Sequence, residues 1–432
     1  MSSGVLIGML IGIMLVLFLL KVPIYISMPL SGVIVMLIND SMKWGTVAMK
    51  MHVGVDTFTL LAIPMFLMAA KIMNTGGITR RLFQFCNSLV GWLPGGLGHV
   101  NVLASVVFAG MSGTAVSDAG GLGSIEIEAM TEHGFDKEFS IAVTAASSTL
   151  GPIIPPSIPM VVYATVAGAS VGALFMAGIF TGVLMAVIMM IVVAIYAVRR
   201  RYPRGPFPTV HSFFKALRQG ILPLLAPVIL LYGIYSGKFS PTESAVIVVI
   251  YSLFLSCVVY REVKWADIVR IVRETVRDSC TIAMLIAGAT LFGYVAVRLQ
   301  LPQKLLEMMT SVVSSKWTLL IILNIFLLII GCFLETASAI TILVPLILPM
   351  LAAYGINDVH FGVIMVLNLM IGLLTPPFGL VLFVLSRIGK ISVGRLAVVL
   401  LPWMGALLVA LLLVTFIEPI TMWLPTTLGL MG

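Results

Sequence analysis

The chain has 432 residues, 60% of them hydrophobic and only 10% charged, with a mean hydropathy of +1.16. A water-soluble core has no use for that much apolar side chain, and the long unalternating runs at 5–20 and 317–330 exclude a membrane β-barrel, so the composition is that of a polytopic, all-α membrane protein. The net charge of +8 is the usual excess of Lys and Arg in cytoplasmic loops and makes no case for nucleic acid.

Residues 5–20 and 22–38 are two predicted spans joined by the tight turn Lys21-Val22-Pro23. The first lacks a basic leader and a small-residue cleavage site, so it reads as a retained helix rather than a signal peptide. A short polar connection over 39–56, carrying Lys43 and Lys50, leads to a third span at 57–73. Arg80 and Arg81 follow, then a connecting helix at 82–93 closed by Pro94-Gly95-Gly96. Residues 99–132 place two apolar arms around a polar, small-residue centre at 110–121. Arms of about 12 residues are too short for the ~30 Å hydrocarbon core, which predicts a re-entrant hairpin with its tip near mid-membrane.

The next apolar segment, 139–167, contains Gly151, Pro152, Pro155, Pro156 and Pro159. Proline removes an amide donor and pushes its predecessor toward extended geometry, so this helix must break near its middle. Unwound backbone at that depth survives only when buried in protein or lining a cavity. Residues 172–198 cross again, and 199–218 carry six basic residues and no acid, which puts that loop in the cytoplasm.

The second half repeats this plan. A shift of 221 positions relates Gly110 to Gly331, Ser117 to Ser338, Gly151 to Gly372, and Pro155-Pro156 to Pro376-Pro377. Five crossings and a hairpin separate the repeat starts, an odd number, so the repeats have inverted topology. The first unit covers 1–220: scaffold helices 1–96, hairpin and broken helix 97–198, cytoplasmic loop 199–220. The second covers 221–432: scaffold helices 221–316, hairpin and broken helix 317–390, last helix 391–432. Counting from the basic loop puts 80–81 and 261–277 inside, and 236–243 and the N-terminus outside; Lys43 and Lys50 run against the rule.

Oxygen-rich groups gather at the two hairpins and the two breaks. Ser112, Thr114, Ser117 and Asp118 mark the first tip, and Glu335, Thr336 and Ser338 the second. The carbonyls freed at Gly151 to Pro155 and at Gly372 to Pro376, with Thr375, suit a hard monovalent cation such as sodium. The candidate cation ligands are therefore Ser112, Thr114, Gly151, Glu335, Thr336, Gly372 and Thr375. Half-helix N-termini, positive in partial charge, suit an anionic substrate, which assigns Ser117, Asp118, Pro155, Pro156, Ser157, Ser338, Pro376 and Pro377 to substrate. Packing by small residues is the alternative for the first tip, and Arg387 and Lys390 read as interfacial cations. Glu126, Glu128, Glu132, Asp136 and Glu138 read as a solvated patch at the foot of the first hairpin.

The segments Gly110-Met-Ser-Gly-Thr-Ala-Val-Ser-Asp118, Gly151-Pro-Ile-Ile-Pro-Pro-Ser-Ile-Pro159 and Gly372-Leu-Leu-Thr-Pro-Pro377 resemble the large membrane subunit of tripartite ATP-independent periplasmic (TRAP) transporters, as do Ala145-Ala-Ser-Ser-Thr149, Gly172-Ala-Leu-Phe-Met-Ala-Gly178 and His360-Phe-Gly-Val-Ile-Met-Val366. The resemblance covers nearly the whole chain. It implies a sodium-driven, elevator-type importer of organic acids in a bacterial inner membrane, with a separate small four-helix membrane subunit and a periplasmic substrate-binding protein. It implies no cofactor other than sodium as coupling ion. Many dicarboxylate carriers of this family have Asn where this chain has Val381, which leaves sialic acid or another sugar acid beside the C4-dicarboxylates.

Two other classes compete. Gly110-Met-Ser-Gly113 matches the short G-x-S-G pattern of intramembrane serine proteases, which need a histidine partner; His99 is the one nearby in sequence. A passive channel would show a continuous polar stripe, whereas polarity here is concentrated at two hairpins and two breaks. Gly237-Lys238 is not a P-loop, so any ATP coupling would come from another chain.

Overall fold

Apolar segments whose amides find no water in hydrocarbon satisfy them internally, and every regular element among the described residues is helical. The computed structural model describes residues 3–39, 45–313, 315–376 and 379–430. Six of its helices are long and apolar enough to cross a membrane: Phe58–Thr75, Val171–Arg200, Pro241–Val259, Trp265–Arg298, Thr336–Ala353 and Val393–Phe416. Shorter apolar helices, Ser3–Leu19 and Ile24–Ile38 among them, complete the bundle.

Two local expectations are corrected, and a third stretch gains its element. Residues 39–56 are not simply a polar connection, because they contain the helix Gly45–Val55, which packs along Trp265–Arg298. Contact with that long neighbour supplies the burial that its modest sequence pattern does not advertise. The basic stretch 261–277 is largely the start of a single 34-residue helix, Trp265–Arg298. At ~1.5 Å per residue the helix is longer than the ~30 Å core, and Arg270, Arg273 and Arg277 all lie in its first half. The arms of the first hairpin, Gly96–Ser112 and Ala115–Glu132, have 17 and 18 residues, well beyond the short arms expected. The small polar residues after the tip continue the helix because Thr114 caps it, leaving only a left-handed Gly113 (φ 63°) and Thr114 to turn the chain.

The first broken helix runs Lys137–Ser147, tightens into a 3-10 turn at Ser148–Leu150, unwinds, and restarts at Ile158–Ala167 with Ser157 as its N-cap. The second runs Asp358–Gly372 and restarts at Leu380–Ile388. Helix order recurs between the halves. Gly96–Ser112, Ala115–Glu132, the broken pair and Val171–Arg200 are followed later by Lys316–Gly331, Thr336–Ala353, the second broken pair and Val393–Phe416. The packing is reciprocal. Ala115–Glu132 lies on Leu380–Ile388, while Thr336–Ala353 lies on Ile158–Ala167. The second arm of each hairpin thus rests on the restarted helix of the other half.

Candidate functional site

The first tip closes on the first break. Thr114 Oγ1 accepts from the Ser117 amide at 3.3 Å, and the Ile158 amide donates to the Gly113 carbonyl at 3.3 Å. A methyl group placed on Gly151 would sit 3.3 Å from Ser112 Oγ, 3.3 Å from the Thr114 carbonyl and 3.4 Å from the Ser148 carbonyl. Three oxygens therefore converge on a point that only glycine leaves open. Ser112 is buried, and its hydroxyl has no hydrogen-bond partner in the protein. An unpartnered buried hydroxyl costs free energy unless something completes it, and a hard cation among oxygens does so.

The second tip is built differently. Glu335 caps Thr336–Ala353, its Oε2 accepting from the Ser338 amide at 3.2 Å. Thr336 is buried, and its hydroxyl also lacks a partner. Tip and break meet through backbone, since a methyl group on Gly331 would lie 3.2 Å from Gly372 Cα and one on Gly372 only 2.5 Å from Gly331 backbone carbon atoms. Thr375 donates its hydroxyl to the Ile371 carbonyl at 2.9 Å, which closes the last turn before the break.

One cavity of about 490 Å³ joins the two tips to the scaffold. Thr114 from one tip and Glu335, Thr336 and Ser338 from the other line it, together with Pro152 and Pro159 of the first break. Also lining it are Lys21 from the turn after Ser3–Leu19, Tyr25 from Ile24–Ile38 and Thr281 from Trp265–Arg298. Such a volume suits a small organic molecule, and the combination of one lysine, one carboxylate and several hydroxyls gives polar handles in an otherwise apolar wall.

The sequence-nominated residues divide into those this cavity gathers and those it does not. Ser112 and Gly151 lie against the first tip, whereas Thr114, Glu335, Thr336 and Ser338 face the cavity. Ser117 contributes its amide to the Thr114 cap. Asp118 is buried away from the cavity lining, both carboxyl oxygens without a hydrogen bond and Ser105 as its polar neighbour. Pro155 and Pro156 are buried; their carbonyls approach Gly110 and Gly113. The Ser157 hydroxyl is occupied as a cap, accepting from the Met160 amide and donating to the Pro152 carbonyl. Gly372 is closed against Gly331, Pro376 is exposed, and Pro377 lies outside the described residues.

Sequence reasoning missed Lys21, Tyr25 and Thr281. Lys21 was legible only as a turn residue, although a lone cation between two apolar spans was a signal; the structure gives it a left-handed backbone (φ 63°). The foot of the first hairpin needs a further correction, because Glu126 is buried rather than solvated. Helix 115–132 turns that face toward Lys137–Ser147, while Asp136 and Glu138 do remain at the surface. Asp136 bonds the Tyr202 hydroxyl at 2.7 Å and Arg200 at 2.6 Å, and these partners hold its carboxyl below the usual range. Arg395 donates from Nε and Nη2, one edge of its guanidinium, to the two carboxylate oxygens of Glu138 at 2.8 and 2.9 Å.

Comparison with known proteins decides the family. The model of the DctM component of tripartite ATP-independent periplasmic transporters matches residues 11–420. The chain belongs to this TRAP transporter family. The sialic acid TRAP transporter large permease SiaM of Vibrio cholerae is 40% identical over 93% of this chain and 94% of its own length. The C4-dicarboxylate TRAP large permease DctM of Pseudomonas aeruginosa is 39% identical over 94% and 95%. The 2,3-diketo-L-gulonate large permease YiaN of Escherichia coli is 32% identical over 86% and 87%. Among solved structures, the YdaH transporter of Alcanivorax borkumensis shares the fold, with a TM-score of 0.63 at 18% identity over 86% of this chain and 87% of that one. TRAP membership accounts for the long apolar helices. The G-x-S-G motif forms the turn between the two arms of the first hairpin, with Ser112 at the end of Gly96–Ser112 and Gly113 in the left-handed conformation.

Proposed function

We propose that this TRAP large permease imports a small organic acid across the bacterial inner membrane, coupled to sodium, by an elevator motion of the two hairpins and broken helices against the scaffold. The single observation that carries this reading is the shared cavity, which both tips line together with Lys21, Tyr25 and Thr281. Sodium would sit at each tip, completing the Ser112 and Thr336 hydroxyls with the carbonyls around Gly151 and the Glu335 carboxylate. Fixing the tips presents the helix starts at Ala115 and Thr336 to a carboxylate, so cation and anion binding are linked, each raising the affinity for the other. The halves serve as inverted repeats, 1–220 and 221–432, with the N-terminus on the periplasmic side.

The partners are a small four-helix membrane subunit and a periplasmic binding protein that delivers the acid. Relatives are named for sialic acid, C4-dicarboxylates and 2,3-diketo-L-gulonate, all of them organic acids. Sialic acid or another sugar acid stands beside the C4-dicarboxylates as substrate, since this chain has the buried, apolar Val381 where the resemblance gives many dicarboxylate carriers Asn. The test is uptake into proteoliposomes holding the three components, with a panel of sugar acids and dicarboxylates. Uptake of at least one sugar acid only when the binding protein is present supports the reading, and uptake by the lone chain from free substrate overturns it. Single cysteines at Arg200 and Lys264 label from the cytoplasm and one at Gly237 from outside; labelling of Arg200 and Gly237 from one side would end the inverted arrangement.

A further inference from the structure

A second cavity, of about 400 Å³, opens between the helices Gly45–Val55 and Trp265–Arg298 on one side and Ile158–Ala167 and Thr336–Ala353 on the other. It continues the first along the same three helices. On Trp265–Arg298 the first cavity touches Thr281 and Leu285, and the second Thr290 and Tyr294. On Ile158–Ala167 the order is Ile158 then Thr165, and on Thr336–Ala353 it is Ser338 then Thr341. The two spaces therefore lie in series, one at each end of the interface between hairpins and scaffold.

The charge of the second cavity is one-sided. Lys50 Nζ lies 5.0 Å from the Tyr294 ring centroid, and Arg298 donates from Nε to the Tyr294 hydroxyl at 3.3 Å, with its guanidinium carbon 5.9 Å from that ring. Two cations thus share one tyrosine, and no carboxylate lines the cavity among the described residues. The acid on the adjoining helix end, Asp56, pairs instead with His52 at 3.9 Å, both side chains about three-quarters exposed at 76% and 74%. Like charges gathered around one ring leave a deficit that an anion removes. The same placement explains why Lys50 runs against the distribution of basic residues in the rest of the chain.

Resting on the organic-acid reading above, we propose that Lys50 and Tyr294, with Arg298 outside the cavity wall donating to the Tyr294 hydroxyl, form a carboxylate-binding vestibule at the outer end of the path, where the substrate is held before it reaches the hairpin tips. Lys21 and Tyr25 provide the corresponding lysine and tyrosine at the other end. A small organic acid fits a space of this size, and a single carboxylate bridges an ammonium and a phenol.

The experiment uses the full tripartite complex in proteoliposomes and an acid that the wild type imports. Lys50→Gln should raise the half-saturating substrate concentration roughly five- to tenfold, the loss of one charge-assisted contact. Half-saturation by sodium and the membrane yield should not change. Lys50→Arg should stay near wild type, and Arg298→Gln should shift the same way by less. An unchanged half-saturation in Lys50→Gln, or an equal loss in Lys50→Arg, overturns the vestibule. The uptake series is run in phosphatidylcholine vesicles with and without phosphatidylglycerol. An equal effect in both supports substrate as the anion, and an effect confined to phosphatidylglycerol assigns the cavity to lipid phosphate and overturns the proposal. Independently of transport, Val53→Cys in a chain lacking the native cysteines should be protected by the acid panel from an impermeant maleimide added outside, and Lys50→Gln should abolish the protection. Protection without import by the wild type would sink the function reading and keep the vestibule; import without protection would do the reverse.

Discussion

The two hairpin tips occupy the same place in the two halves and solve the same problem with different chemistry. Thr114 and Glu335 stand 221 positions apart, each the N-cap of its hairpin's second arm, each accepting from a serine amide three residues on. One cap is a neutral hydroxyl and the other a carboxylate. The first half instead carries its carboxylate at Asp118, inside the helix, where the second has Ala339. The meeting of tip and break differs as well. The first leaves a gap bounded by Ser112 Oγ and two carbonyls at Gly151, whereas the second is closed by Gly331 on Gly372. Shared geometry with unshared charge means that the two proposed cation sites would differ in strength, the second resting on a formal charge and the first on dipoles alone.

The sharpest way to break this comparison is to add one methyl group to each glycine of the break. Gly372→Ala would drive Cβ into the Gly331 backbone, which side-chain rotation cannot relieve. It should cost about 3 kcal/mol or more and remove most folded protein from the membrane. Gly151→Ala meets atoms at 3.3 Å or beyond and should leave the yield nearly intact while raising the sodium requirement. Fluorescence size-exclusion profiles beside sodium titrations separate the two outcomes. Equal loss of yield in both variants would show that the two closures are alike.

Next in size is the exchange of caps. Glu335→Gln keeps the capping geometry and removes the charge, so half-saturation by sodium should rise by about tenfold, equivalent to ~1.4 kcal/mol. Thr114→Val removes a neutral ligand and a cap, and should shift sodium only about two- to threefold while lowering stability by ~1 kcal/mol. A larger sodium shift at Thr114 than at Glu335 would reverse the assignment of strength.

The sequence made the breaks and tips legible because proline and glycine act locally, and their effect on the backbone does not wait for a partner. Gly151, Pro155 and Pro156 declared a break, and the repeat at Gly372 declared its counterpart. What stayed hidden depends on contacts across the fold. The helix Gly45–Val55 exists through its packing on Trp265–Arg298, and Lys21 becomes part of the cavity only when the first turn is folded over the tips. His360 is buried within Asp358–Gly372, with Nδ1 2.6 Å from the Thr421 hydroxyl, a partner 61 positions away that the local sequence does not announce. Ser157, nominated for substrate, is occupied as a cap, a role its position before a restarted helix explains in hindsight.

The smallest effects belong at the foot of the first hairpin, far from both tips. Tyr202 and Arg200 hold the Asp136 carboxyl below its usual range, so their contribution is present above the ordinary aspartate range and is lost only as pH falls through the lowered value. Asp136→Asn should therefore lower the melting temperature slightly at neutral pH, by well under ~1 kcal/mol for a pair this exposed. The difference from wild type should vanish in strong acid, and sodium dependence should not change. A thermal-shift series across pH checks both, and a sodium shift would tie the foot to the tips after all.

The central claim is that sodium at the two tips drives the carrier. The most direct measurement is the initial rate of uptake of a binding-protein-delivered acid, in proteoliposomes of fixed membrane potential and pH, as external sodium is replaced by choline. The account predicts uptake that falls to background without sodium and rises with a Hill coefficient above one, because two separate tips must be filled. Uptake undiminished in choline would contradict it.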